Sequence, residues 1–245
     1  MVASMGSATR IGEAAAALPE EQRAERERPF WLELTRRRGW QRLADAGCGG
    51  GFHRRLLAKL GLQVVGFDRA LVPLAPQRPG LVLAADVAAP ALRPASFDGV
   101  LCLGNTVSLL PDRGAQRQAL AALAALLRPG GLLVVQAEDA GVTAASGARL
   151  RARAVAGGGI HVRAYERRGH RVRMLVGVVQ PGEDAAAEAV WLLPTSAARL
   201  AALARPFGLR ETLLPPPPAG PEASWWLALE TGPGGTTTRP DPPKG

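Results

Sequence analysis

The segment Leu43-Ala44-Asp45-Ala46-Gly47-Cys48-Gly49-Gly50-Gly51 constrains this chain more than any other. An apolar run that ends in an acid and then breaks into glycines predicts a buried parallel strand feeding a tight loop. The spacing G-x-G-x-G lets the backbone take φ > 0 and approach a ligand more closely than a Cβ would permit. A nucleotide-like cofactor is the usual occupant of such a loop. The dinucleotide fingerprint G-x-G-x-x-G needs a glycine one place later, where this chain has Phe52, so a nicotinamide enzyme ranks low. His53 to Leu60 then carries Leu56, Leu57 and Leu60 at helical spacing and stops at Gly61, a helix-ending signal. A second strand, Leu62 to Asp68, follows. Asp68 falls at its carboxyl end, about twenty residues past the glycines, where an acid can hold two ribose hydroxyls.

Together these two segments resemble class I S-adenosylmethionine-dependent methyltransferases, whose first motif is written V-L-D-x-G-C-G-x-G and whose second strand ends V-x-G-x-D. Ala44 replaces the usual Leu. Three further segments agree in order. Leu81 to Asp86 is similar to the third strand, with Asp86 at the acid that meets the adenine amino group. Phe97 to Asn105 follows the F-D-x-V-x-C-x-G-N form of small-molecule methyltransferases, and Leu127-Arg128-Pro129-Gly130-Gly131 resembles the turn that launches the fifth strand. The resemblance is close over residues 40 to 139 and looser beyond.

It implies an α/β fold: a Rossmann-like seven-stranded sheet, mostly parallel with the last strand antiparallel, flanked by helices, with an antiparallel hairpin inserted after the fifth strand. It also implies S-adenosyl-L-methionine as cofactor. Asp45, Gly47, Cys48, Gly49 and Gly51 would form the loop at the methionine end, Asp68 and Arg69 would lie at the ribose, and Asp86 and Val87 at the adenine. Leu103, Gly104 and Asn105 would border the methionine moiety and the substrate entrance.

The expected organisation is one methyltransferase domain over 20–231. It comprises an N-terminal helix at 20–38, a cofactor-binding core at 40–139, a substrate-side insertion at 140–194, and a C-terminal helix and hairpin at 195–231. Flexible tails are expected at 1–19 and 232–245. Pro73, Pro76 and Pro79 predict that the helix joining the second and third strands is short or lost. Pro90 and Pro94 predict a trimmed third crossover. Asp112 should cap a helix whose buried stripe is Ala119, Leu120, Leu123, Leu126 and Leu127. Val142 to Gly159, rich in Ala, Gly and Arg, reads as a loop or weak helix and a lid. His161 to Gln180 alternates as a hairpin turning at Arg167-Arg168-Gly169-His170, with Ala186 to Leu193 able to add a third strand.

No apolar run reaches the eighteen or so residues that span a bilayer, and the first residues lack a signal-peptide pattern, so a cytoplasmic protein without a membrane partner is expected. The formal charge of +9 would ordinarily raise nucleic acid as a partner. Only Lys59 and Lys244 are lysines, so the charge is almost all arginine, in a chain crowded with alanine, glycine and proline. These residues share GC-rich codons, and genome composition explains them without a nucleic-acid partner. Aromatics interleaved with arginines, which would stack bases, are scarce. Cys48 and Cys102 belong to no metal-binding pattern and read as small buried hydrophobes, although a disulfide between neighbouring strands is geometrically conceivable. No metal is expected.

The antiparallel insertion of related small-molecule enzymes builds one wall of the substrate chamber, which makes Arg163, Tyr165 and Trp191 substrate-side candidates, with Trp31 as a cap residue. Candidates for a general base are His53, His161 and Tyr165, none with a declaring motif. Asn105 is not followed by the P-P-[YF] sequence that holds an exocyclic base amine. The expected activity is in-line methyl transfer to a small-molecule amine or hydroxyl, by a monomer or homodimer. An RNA methyltransferase and a non-catalytic cofactor-binding module are the alternatives.

Overall fold

Strands that are apolar on both faces must be covered by helices on both sides, and that requirement organises this chain. The computed structural model describes residues 20–70, 82–146, 149–154, 158–182, 186–219 and 223–233. Helix α1 (Glu20–Arg38) precedes β1 (Arg42–Ala46), α2 (Phe52–Ala58), β2 (Gln63–Asp68), β3 (Val82–Ala84) and β4 (Phe97–Cys102). Helix α3 (Arg113–Leu126) leads into β5 (Leu127–Glu138) and the short α4 (Ala140–Ala145). Strands β6 (Leu150–Ala154), β7 (Ile160–Arg168), β8 (Arg171–Val179) and β9 (Ala186–Leu192) follow, then α5 (Ala197–Ala204), β10 (Leu209–Thr212) and β11 (Ser224–Thr231).

The main sheet has seven strands in the order β10-β11-β5-β4-β1-β2-β3. β1 pairs in parallel with both β2 and β4, β2 with β3 and β4 with β5, while β11 runs antiparallel between β5 and β10. Because side chains alternate across a strand, each strand feeds two cores. Leu43, Val64, Leu101, Leu132 and Val134 meet Phe30, Trp31, Leu34, Leu56 and Leu57 from α1 and α2. Ala44, Phe67, Val100, Leu133 and Val135 face Leu120, Leu123 and Leu200 from α3 and α5 on the other side.

The local signals act as read. The Asp112 carboxylate accepts from the Ala115 N–H at 2.8 Å, capping α3, and Ser196 caps α5. Between Asp86 and Ser96 the chain forms bends and turns rather than a helix. The 71–81 stretch with its three prolines lies outside the described residues, as do the expected tail over 1–19 and all but 232–233 of the tail expected over 232–245.

The insertion departs from the sequence reading. The hairpin β7–β8 is the middle of a four-stranded antiparallel sheet in the order β6-β7-β8-β9. In the stretch Val142 to Gly159, read as a loop or weak helix, α4 (Ala140–Ala145) runs on to 145 and 150–154 is a strand. Leu150-Arg151-Ala152-Arg153-Ala154 alternates with period two, but its inward positions are arginines, so hydrophobicity does not reveal it. The turn at Gly169 has φ +61°, which only glycine adopts without strain.

Candidate cofactor and acceptor site

The chain leaves β1 for β2 on one side and returns through β4 on the other, so the carboxyl ends of β1 and β4 flank a topological switch point, where open α/β sheets bind ligands. Two loops meet there. Gly47 N–H and Cys48 N–H both donate to the Phe67 carbonyl, at 2.8 and 3.1 Å, folding the glycine loop back across the end of β2. Gly47 has φ +69°, and a Cβ built on it would lie 2.5 Å from Thr106 Oγ1 in the loop after β4. Glycine here is a condition for the two loops to touch. At Gly49 and Gly104 an added Cβ would meet nothing within 4 Å, so both open onto free space at the rim.

Three acids lie at the carboxyl ends of β1, β2 and β5. Asp45 is buried and its Oδ2 has no hydrogen-bond partner among the described residues. Burial holds its pKa above the usual carboxylate range, opposed by His53 and reinforced by Asp68. Asp68 Oδ2 accepts from Gly49 N–H and its Oδ1 from Ala70 N–H, each at 2.9 Å. Glu138, at the end of β5, was not singled out in the sequence, although a strand ending in an acid at the same rim is the signal that marks Asp45 and Asp68. It is buried, accepts from Thr143 Oγ1, and takes a bond from Tyr165 Oη at 3.3 Å. It also pairs with Arg151 at 2.9 Å. Its backbone N–H donates to Asn105 Oδ1 at 2.6 Å, and Asn105 itself sits at φ +71°. Gly104 N–H donates to Gln136 Oε1 at 3.0 Å.

The remaining expected residues divide. Asp86 is exposed beyond β3, with Oδ1 accepting from Ala88 N–H at 2.8 Å, and Arg69 is exposed beside Asp68. The Val87 and Leu103 side chains are buried, Val87 in the core. Cys48 and Cys102 are both free thiols, each pushed up to about 12, first by burial and then by Asp45, with Asp68 adding to the effect at Cys48. They are neutral hydrophobes that neither ionise nor attack near neutral pH.

Trp31 does not reach the rim. Its surface is 0% exposed, its Nε1 donates to Glu27 Oε2 at 3.3 Å, and its ring packs on Phe30 and Trp226. His53 turns away from the loop to Glu27 on α1, 3.0 Å from Oε2, with Arg23 also facing that carboxylate. No local motif marks Glu27, yet its buried carboxylate locks α1 onto the start of α2. Arg55 adds a second tie, pairing with Glu20 at 2.7 Å while donating to the Gly50 carbonyl. Tyr165 and Arg163 lie on the face of the small sheet turned toward Glu138, whereas Trp191 lies on its opposite, outward face. His161 is buried on the Tyr165 face.

Residues 44–135 match a family model described as a methyltransferase domain. The chain is 32% identical over 131 residues to glycine N-methyltransferase of Oryctolagus cuniculus, covering 42% of this chain and 43% of that protein. It is 29% identical over 124 residues to a glycine/sarcosine N-methyltransferase of Halorhodospira halochloris, covering 47% and 46% respectively. It thus spans less than half the length of these curated relatives. Among solved structures, a sugar N-methyltransferase from a Streptoalloteichus species superposes with a TM-score of 0.71 at 20% identity, over 84% of this chain and 87% of the other. An amino pentose methyltransferase from Micromonospora echinaspora, solved with S-adenosylmethionine bound, superposes with a TM-score of 0.65 at 21% identity, over 94% and 97%.

Proposed function

We propose that this chain, which carries a methyltransferase domain in the fold of the class I S-adenosylmethionine-dependent enzymes, transfers a methyl group from that cofactor to a nitrogen of a small-molecule acceptor. The observation that carries the reading is the Asp45 carboxylate, buried at the switch point with one oxygen unpartnered among the described residues. A buried acceptor of this kind is costly unless a donor or cation arrives to use it. The cofactor brings both, an α-ammonium and a sulfonium, so the residues present fit it.

On this reading the backbone of Gly47 to Gly51 lines the methionine end, with Asp45 beneath. Asp68 uses its remaining lone pairs on the ribose diol, and Asp86 meets the adenine. Leu103 to Asn105 form the edge between cofactor and acceptor. When bound, the sulfonium supplies a methyl group activated for in-line displacement. The protein's share is position: holding the acceptor about 3 Å from that carbon and excluding water supplies most of the acceleration. None of the three base candidates is set up to take a proton strongly. His53 is engaged by Glu27, His161 is pushed down to about 4, mainly by burial, and the Tyr165 phenol is raised. The acceptor therefore reacts from its own neutral fraction. A nitrogen acceptor is preferred over a hydroxyl because the relatives and the structural neighbour named above are N-methyltransferases.

Calorimetric titration of S-adenosylmethionine and S-adenosylhomocysteine tests the reading. Saturable 1:1 binding is expected, weakened at least tenfold by Asp68→Ala, together with transfer of labelled methyl to members of a panel of small amines. Folded protein that binds neither ligand overturns it.

A further inference from the structure

The small sheet turns one face to α4 and the rim. On that face β8 supplies Val172, Met174, Val176 and Val178, which are all buried. The other half of the face is polar. Register places Arg151 beside Arg163, and Arg153 beside His161, on the same side as Tyr165. Arg151 is matched by Glu138 at 2.9 Å. Among the described residues neither Arg153 nor Arg163 has a carboxylate partner, and Arg163 hydrogen-bonds the Tyr165 side chain. Nε and Nη2 of Arg153, Nε of Arg163 and Nε2 of His161 are all withdrawn from solvent without a hydrogen-bond partner among the described residues, and His161 is only 4% exposed. Glu188 shares the Arg163 row, but Val176 stands between them, so two strand spacings of about 4.8 Å separate their backbones.

Buried donors without acceptors carry a full desolvation penalty, and two neighbouring guanidinium groups add mutual repulsion. An anion placed among them relieves both. The Nε/Nη2 edge left open on Arg153 is the fork that grips a carboxylate or phosphoryl group through two parallel bonds. Two residues further along β7, Tyr165 reaches Glu138, whose backbone N–H is bonded to Asn105. Glu138 thus joins the polar face to the methyl-transfer rim.

We propose that Arg153, with Arg163 and His161 beside it, forms an oxyanion subsite that takes a carboxylate or phosphoryl group of the methyl acceptor and leaves its nitrogen at the rim. The substrate class is thereby a small anionic amine, such as an amino acid or a phosphorylated amino sugar. The assignment rests on the methyl-transfer reading above for its role, but not for its test. A neutral His161 carrying its proton on Nε2 donates to the anion without adding charge.

Malonate and pyrophosphate serve as probes, titrated into the full chain by calorimetry at constant ionic strength and pH 7.5, with Arg153→Gln, Arg163→Gln and, on the opposite face of the same sheet, Arg173→Gln. Wild type is expected to bind at least one probe saturably, one per chain. Arg153→Gln and Arg163→Gln each weaken that binding tenfold or more, and Arg173→Gln changes it less than twofold. The probe that binds identifies the carboxylate or the phosphoryl source. Without anion, Arg153→Gln and Arg163→Gln melt at or above wild type, because donors withdrawn from solvent without acceptors and the repulsion between two guanidinium groups have been removed. Absence of saturable binding by either probe, equal loss in Arg173→Gln, or melting of Arg153→Gln well below wild type overturns the subsite. S-adenosylmethionine titrated into the same samples reports separately. Cofactor binding without anion binding rejects the subsite alone, whereas anion binding without cofactor binding rejects the methyl-transfer reading and leaves the subsite standing.

Discussion

Glu27 is a carboxylate on the packed face of α1, and it stays ionised because His53 and Arg23 face it. Burial works to raise its pKa, but the hydrogen bond and charge of His53, then Arg23, outweigh it and hold the value at about 2 against 4.5. A folded value below the unfolded one means stabilisation that is fully present above about pH 4.5 and lost as pH falls toward 2, on the order of 3 kcal/mol. Urea midpoints followed from pH 5 to 2.5 should fall less steeply in Glu27→Gln than in wild type; parallel slopes would show that the pair contributes nothing. Gly47 offers a second test. An alanine there takes a left-handed φ, which costs about 1–2 kcal/mol, and pushes its Cβ into Thr106. Gly47→Ala should lose roughly 2–4 kcal/mol in denaturation, and Thr106→Ala in the same chain should restore part of it. Of these residues the sequence marked Gly47 and the rim acid Asp45, because strand-then-glycine chemistry is local. It left Glu27 unmarked, since its role depends on which loop α1 comes to rest against.

Helix α1 runs through Pro29 without ending, although an interior proline removes a backbone bond and crowds the preceding turn. Packing of Phe30, Trp31 and Leu34 against the sheet offsets that loss. Pro29→Ala should therefore raise stability by about 1–3 kcal/mol, read as a higher urea midpoint with unchanged m-value. Elements whose buried side is apolar were legible before the structure: β1, β2, β4, β5, α3 and α5 all carry the expected periodicity. The element that escaped was β6, whose inward residues are Arg151 and Arg153. Local pattern fails where a face is built for charge rather than for burial, and such places tend to be functional.

The two sheets are joined through few groups. Glu138 binds Thr143, Tyr165 and Arg151, and Leu193 N–H donates to the Ser108 carbonyl at 2.7 Å. Removing Glu138 leaves the Arg151 charge without its partner. Glu138→Ala should cost about 3–5 kcal/mol, with amide exchange accelerating more in β6 to β9 than in β1, β4 and β5; uniform acceleration would mean that the small sheet is held elsewhere. The sequence by itself determined the parallel core, its helical layers and the acids and glycines of the rim, because strand ends, turns and amphipathic stripes are specified within a dozen residues. Tertiary structure alone decided that Trp31 is sealed in the core, that His53 pairs with Glu27, and that Trp191 faces away from Tyr165. It alone gathered Arg153, Arg163 and His161 on one face, the arginines half-buried and the histidine buried. Those outcomes depend on register and on contacts between segments distant in the chain, where a shift of one residue would turn every side chain to the other side.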